Sequence, residues 1–432
     1  MDVMNGASRT ADPRLNDDEL ARLIAGRRPG FSLDREFYAN PEIYRRELEE
    51  FLLRRWLCVG HASRIPKIGD YFLFEIDSES LILVRGKHGK VAALANVCRH
   101  RGSRVCYDPE GSTKLLVCPY HGWGYELDGR LRAARHAPED FDRSRYRLKA
   151  VHCRVVQGLI FVNFSDSADS DDSADSGDSV EQPIGLAAVE ALADAVVGPY
   201  GWADASVAHR EVYAIAANWK LAVENYLECY HCAPAHPEYA RLHANERPRG
   251  YTVESTGSAV ARARAMGIEI PAVDQWALDA PSGQEAMLSI RYAMLDGTVT
   301  GSRNGEAVAP LMGRFSDYDG AATFFHIGPA SYYLAYCDYG VIYRFTPRAP
   351  QETEMEVIWL VRNGSKPGVD YDLDRLTWLW KLTSEEDKRI IENNQAGVNS
   401  RFYEPGPYSA MESNPRRFTE WVLRELMPGG AD

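Results

Sequence analysis

The sequence predicts an α+β fold, with an all-β module first and a domain of strands and helices second. Three observations carry that expectation. Short β-rich runs crowd residues 46–164. Helical patterning in the second half collects at its two ends instead of alternating with strands. Between the halves lies "SDSADSDDSADSGDSVEQP", residues 165–183, in which like charges repel and almost nothing can be buried.

Taken in order, residues 1–45 form a helical segment that packs on the later domain. The runs "YFLFEI", "SLILVRG", "KVAALANV", "KLLVCP" and "QGLIFVNF", broken by Gly, Asp and Lys turns, make 46–164 an all-β module. The Ser/Asp tract at 165–183 is a solvated linker or loop insertion. Residues 184–432 form the second domain. Its stretch "REVYAIAANWKLAVENYLECYHCAPAHPEYARLHA" begins as a strand and becomes a helix, with Leu221, Tyr226 and the Cys229/Tyr230 pair on one face until Pro234 interrupts it. Strands follow at "AATFFHIG", "SYYLAYCDYG", "VIYRFTP" and "MEVIWLVRN", then helices at about 371–399 and 415–427.

Composition excludes several function classes. With 45% hydrophobic and 26% charged residues the chain is of globular type, and a net charge of −13 argues against a nucleic-acid partner, whose phosphates need clustered positive charge. No apolar run has the length of a signal peptide or a membrane span, so a cytoplasmic protein with no membrane partner is expected. The eight cysteines, spread from Cys58 to Cys337, do not suggest a disulfide framework; paired cysteines read better as metal ligands.

One such pairing stands out. In "CRHRGSRVCYDPEGSTKLLVCPYHGW" a Cys-x-His, Cys98 and His100, is followed after seventeen residues by a Cys-x-x-His, Cys118 and His121. A structural Cys2His2 zinc site and four unrelated core residues are the alternatives. Zinc fingers usually pair Cys with Cys and His with His, whereas here each loop supplies one thiolate and one imidazole. That alternation fits a Rieske [2Fe–2S] cluster, in which two Cys bind one iron and two His the other. Gly102 and Gly122 relax the loops, and Pro119, Tyr120 and Trp123 can wall the sulfurs from water. Cys106 has no assigned role.

Such a cluster passes single electrons and needs a receiver. In "NWKLAVENYLECYHCAPAHPEY", the spacing of Glu224, Glu228 and His231 by four and three residues predicts one helical face, and Pro234 can turn the chain so that His236 converges on His231. Asp387, in "TSEEDKRIIENNQAG", is set among Ile390, Ile391 and Asn394 and can face inward as a third ligand. Two His and one carboxylate with open positions form the facial triad of non-haem Fe(II) oxygenases. Read singly, the histidines could be core or surface residues and Asp387 a solvated helix residue.

At these residues the sequence resembles the large (α) subunit of the Rieske non-haem iron oxygenases, from about residue 30 onward. The resemblance rests on "RRWLCVGHASRIPKIGDYF", the two cluster loops, "NWKLAVENYLECYHC" and "GVDYDLDRLTWLWKLTSEEDKRIIENNQAGVNSRFYEPGPYS". It implies that Cys98, His100, Cys118 and His121 bind the cluster and that His231, His236 and Asp387 bind the iron, with Glu386 as the neighbouring alternative to Asp387. Glu228 stands where much of the family has Asp, a residue that links the iron site to a cluster His of the next subunit. A head-to-tail homotrimer and a helix-grip catalytic domain are implied with it. The E-C-Y-H arrangement and the N-N-Q and P-G-P-Y-S segments look like the branch acting on glycine betaine, proline betaine and carnitine.

The implied activity is that of a monooxygenase: a separate flavin/iron–sulfur reductase draws on NAD(P)H, electrons pass from the cluster by way of Glu228 to Fe(II), and O2 is spent on N-demethylation of a small quaternary ammonium substrate. No G-x-G-x-x-G follows a strand, so the chain is not expected to be its own reductase. An aromatic ring-hydroxylating oxygenase acting on a benzoate or phenol, to be marked by an arginine in the pocket, is the alternative within the chemistry. A Rieske electron-transfer protein is the alternative outside it.

Overall fold

The computed structural model describes residues 15–165, 185–243, 249–275 and 285–427. Most of the acidic tract expected at 165–183 lies outside them, as do residues 1–14.

The first module is all β. Strands Asp70–Ile76, Glu79–Arg85, Val91–Ala95 and Glu110–Ser112 form an antiparallel sheet, Leu57–His61 and His152–Val156 flank Leu159–Asn163 in a second, and Leu116–Val117, Gly124–Tyr125 and Leu131–Ala133 make a small third. The "KLLVCP" run therefore contributes only a two-residue strand, because the chain must leave the ladder to build a loop at Cys118.

The second domain is built on a seven-stranded antiparallel sheet. Its order is Ser206–Ile215, Glu352–Val361, Gly340–Ala349, Ser331–Ala335, Ala321–Ile327, Met287–Ala293, Val273–Gln275, so the chain meanders from one edge and its earliest strand closes the other. Strict alternation splits this sheet between two cores. Tyr332, Leu334, Tyr343, Val357 and Trp359 face one core, together with Trp219, Leu376 and Trp380. Tyr333, Ala335, Ile342, Ile358 and Leu360 face the other, with Val196 and Trp202. A sheet covered on both sides holds its side chains in fixed rotamers, and the long helix Leu373–Val398 lies on the first face, where Tyr343 Oη is 2.9 Å from Ser384 Oγ.

The N-terminal helices begin at Asp17–Gly26, whose start is closed by an Asn16/Glu19 capping box. They are tied to the second domain by a buried ion pair, Lys220 Nζ to Glu47 Oε1 at 2.5 Å, with the Trp219 indole donating to the other Glu47 oxygen at 2.8 Å. The helices Leu186–Val197 and Arg249–Ala265 and the strand Met287–Ala293 have no counterpart in the sequence-based expectation. No helix among the described residues is long and apolar enough to cross a membrane.

The β module meets the large sheet at Glu356, which is fully buried among Arg344, Arg210 and, from the β module, Arg64 at 3.7 Å. Burial opposes its charge, but the three guanidinium groups prevail and hold the carboxyl at about 2. Glu356→Gln should lower unfolding stability by about 3–5 kcal/mol, the usual cost of breaking a buried pair from one side. Because the folded value lies below the unfolded one, this contribution is complete above the ordinary carboxyl range and is lost as pH falls toward 2. Denaturant midpoints of the two proteins measured from pH 7 to pH 3 should therefore converge.

Candidate functional site

The two Cys/His loops are built alike. Cys98 N–H donates to the Ser103 carbonyl at 2.8 Å and Gly102 N–H returns to the Cys98 carbonyl at 2.9 Å; Cys118 N–H donates to Trp123 at 2.8 Å and Gly122 N–H to Cys118 at 2.9 Å. Gly102 (φ +78°) and Gly122 (φ +73°) occupy the left-handed region that closing each turn requires. The sulfurs are buried, whereas both imidazoles are exposed and present their Nδ1 atoms to each other at 3.2 Å.

Tyr125 Oη lies 3.2 Å from Cys98 Sγ and accepts the Arg99 N–H at 3.0 Å. Trp123, nearly buried, stacks on His100, but Tyr120 stands exposed against His121 and does not wall the sulfurs. Cys106 lies outside this set: its backbone closes onto Asn96, and burial pushes its thiol up to about 11. Two shielded sulfurs and two outward imidazole nitrogens converging from twin loops are the donor set a cluster with mixed thiolate and nitrogen ligation needs.

The second centre departs from the helical reading in an informative way. The helix Trp219–Tyr226, capped by Asn218, stops before Glu228. The Glu228 carboxylate takes the backbone N–H groups of Tyr230 and His231, a local alternative to the helix ladder, so Glu228 and His231 sit in a turn instead of along the face of Glu224. Nor does Pro234 turn the chain: it lies inside the short helix Cys232–Ala235, and the bend falls at His236 (φ −127°, ψ 65°), whose α conformation Pro237 disfavours.

The bend brings the histidines together over the long helix. Ligand atoms of His231, His236 and Asp387 lie within 4.8 Å of one another. Asp387 Oδ1 is 2.9 Å from His236 Nε2 and 3.4 Å from His231 Nε2. Each ring is held from behind by a second carboxylate, His231 Nδ1 by Glu228 at 2.6 Å and His236 Nδ1 by Glu386 at 2.7 Å. An Nδ1–H donated to a carboxylate leaves the Nε2 lone pair free, the arrangement that orients a metal-ligating histidine. Burial alone would hold the imidazoles neutral, but Asp387 with Glu228 raises His231 to about 9, and Asp387 with Glu386 raises His236. The site attracts positive charge, and its donors suit a hard or borderline dication.

Glu386, considered from the sequence only as a rival ligand, is thus the partner of His236. Glu224, expected only on one helical face with Glu228 and His231, is a buried carboxyl held by Tyr38 Oη at 2.8 Å and Tyr408 Oη at 3.0 Å, pushed up by burial to about 7. Neither role has a sequence signal beyond an acidic residue near a motif.

Two cavities meet at the centre. In front, a cavity of about 420 Å³ is walled by Tyr226, Tyr239, Tyr292, Phe324 and Trp380 beside the His231–His236–Asp387 set. Arg291 also lines it, but its guanidinium is paired with buried Asp319 at 2.5 Å. Behind, a cavity of about 370 Å³ holds Tyr38, Glu224 and Tyr408. Glu228 and His231 border both.

Residues 55–151 match the Rieske [2Fe-2S] domain, and residues 202–427 match the ring hydroxylating alpha subunit (catalytic domain). The chain belongs to the ring-hydroxylating α-subunit family. Its relatives include the glycine betaine monooxygenase oxygenase subunit of Chromohalobacter salexigens, 35% identical over 95% of this chain and 89% of that protein. The quaternary ammonium Rieske monooxygenase CntA in complex with L-carnitine has the same fold, with a TM-score of 0.64, 21% identity and coverage of 95% and 98% of the two chains. So does naphthalene 1,2-dioxygenase from Rhodococcus bound to indole, at TM-score 0.64, 18% identity and coverage of 96% and 99%.

As a member of this family the chain is an oxygenase whose cofactors are a Rieske cluster and a mononuclear iron, with electrons supplied by a reductase. The zinc-module and electron-carrier readings fall away.

Replacing Asp387 with Asn should reduce bound iron from about three to about two per chain while leaving the visible absorption of the cluster intact. Glu386→Gln should weaken retention of the third iron by about 10- to 100-fold, the usual loss when the partner of a ligating His is removed. Metal analysis with absorption spectra checks both.

Proposed function

We propose that the chain is the oxygenase component of a monooxygenase that removes an N-methyl group from a small, betaine-like quaternary ammonium compound. The observation that carries this reading is the aromatic front wall. A desolvated ammonium left unpaired is very costly, whereas a ring face offers it about 0.5–2 kcal/mol. The arginine that a benzoate-type substrate would call for is present as Arg291, but Asp319 neutralises it. The betaine and carnitine relatives support the same choice.

In this reading Cys98, His100, Cys118 and His121 hold the cluster and His231, His236 and Asp387 hold the iron. Bound there, the iron would supply dioxygen activation, with electrons arriving singly from the cluster. The chain itself does the rest: Tyr226, Tyr239, Tyr292, Phe324 and Trp380 bind the cation and exclude water, while Glu228 and Glu386 fix the two imidazoles. A hydroxylated N-methyl carbon is a carbinolamine, which loses formaldehyde to leave the demethylated amine.

Glu228, facing the rear cavity, is the link to the cluster of a neighbouring copy in a head-to-tail homotrimer. Functional units at 1–45, 46–164, 165–183 and 184–432, working in the cytoplasm, complete the proposal.

Iron-loaded protein given a generic reductase, NADH and a panel of betaines and aromatic acids should release formaldehyde only with a betaine. Turnover of an aromatic acid with no formaldehyde from any betaine would sink the reading. Phe324→Leu should raise KM for the accepted betaine about 2- to 30-fold, matching the ring-face energy. With ferrous iron supplied in excess to offset any weaker retention, Glu228→Gln should leave both centres loaded while coupled turnover falls roughly 100-fold; unimpaired activity would place the inter-subunit link elsewhere.

A further inference from the structure

His231 is bracketed by sulfur. Cys229 and Cys232 are joined by a disulfide, with Cα atoms 4.8 Å apart, and the small ring so closed contains Tyr230 and His231. The same turn is held from the other side by Glu228, which takes the N–H groups of residues 230 and 231 and the His231 Nδ1. Both residues line the front cavity beside His231, Cys229 part-buried and Cys232 buried.

We propose that Cys229 and Cys232 are a reversible dithiol–disulfide couple whose state sets how firmly His231, and with it the mononuclear iron, is held. The inference rests on the reading of His231 as a metal ligand and on nothing about the substrate. Closing the ring removes two thiol protons and two electrons as one S–S bond forms. A small disulfide accepts them by exchange, its own S–S bond breaking to give two thiols, and a small dithiol runs the reaction backwards. Cysteines three residues apart on one turn exchange in preference to distant ones, since the second attack is intramolecular.

The other cysteines are poor competitors. Cys58 and Cys337 are buried and do not line that cavity, burial pushes the part-buried Cys106 and Cys153 up to about 11 and 12 so that they stay protonated, and Cys98 and Cys118 are committed to the cluster loops. In the linked state the turn cannot open without straining the ring. In the open state the turn is restrained by hydrogen bonds alone, those of Glu228 and the Cys232 N–H donated to the Cys229 carbonyl at 3.2 Å.

The test uses the intact iron-loaded protein, reduced with a phosphine and then exposed or not to oxidised glutathione. After alkylation in denaturant, peptide masses should show Cys229 and Cys232 alkylated in the reduced sample and linked to each other in the oxidised one, with Cys58, Cys106, Cys153 and Cys337 alkylated in both. Release of the mononuclear iron to a ferrous chelator should be at least about threefold faster from the reduced form, with cluster absorption unchanged. The C229S/C232S variant should release iron at the reduced rate whether or not glutathione disulfide is added.

The proposal is overturned if the two cysteines remain alkylatable after oxidation, or if the two wild-type forms release iron at one rate. The wild-type comparison decides even if the double variant fails to fold. Neither readout involves turnover, so a failed betaine assay and a failed couple are told apart.

Discussion

The structure turns on one shared oxygen. Asp387 Oδ1 lies 2.9 and 3.4 Å from the Nε2 atoms of two histidines whose other nitrogens are already bound to Glu386 and Glu228. Three carboxylates around two imidazoles, in a largely buried site, would repel one another strongly if nothing positive lay between them. Protons on the imidazoles answer that need partly, as their raised pKa values show. A dication supplies as much positive charge at a single point, and the geometry leaves the ring nitrogens aimed there. The same residues thus create both the charge imbalance and the place where it is relieved.

Holding that arrangement takes more than the motif. Asp387 and Glu386 are placed by a 26-residue helix that lies against a sheet buried on both faces, so their positions follow from packing on Tyr343 and its neighbours. His231 depends on a turn that begins where the helix Trp219–Tyr226 ends, and that helix is anchored by Lys220 to Glu47 and by Glu224 to Tyr38 and Tyr408. The N-terminal and C-terminal segments therefore clamp the helix that delivers the first histidine, which explains why charged and hydroxyl groups are buried there at all. Such groups are retained in a core only when every partner is satisfied.

What was legible in the sequence follows from which signals are local. The strands were visible because alternation is a two-residue property, and the residues that the two candidate centres bring together because Cys-x-His, Cys-x-x-His and the two closely spaced histidines are rare by chance. The end of the helix at Tyr226 was not visible: the periodicity of Leu221, Tyr226 and Tyr230 continues past it, and only the Glu228 side chain, by taking backbone N–H groups, tips the balance. Glu386 and Asp387 are adjacent acids on one helix, and a sequence cannot say which carboxylate lies between the two histidines and which behind one of them. The neutralisation of Arg291 was equally hidden, since Asp319 lies 28 residues away and meets it only across the fold. The helix Arg249–Ala265 contains Gly257 and no apolar stripe, so nothing local marks it.

The wall between the two cavities shows how one residue can serve both. Glu228 Oε2 is filled by two backbone N–H groups, while Oε1 accepts from His231 Nδ1 and keeps a second lone pair. Its side chain borders the rear cavity as well as the front one. A donor approaching from behind would therefore find one acceptor position already aligned with His231, without any rearrangement of the turn. The contacts to the turn and to His231 fix the Glu228 carboxylate on the iron side, so its position does not depend on what occupies the rear cavity.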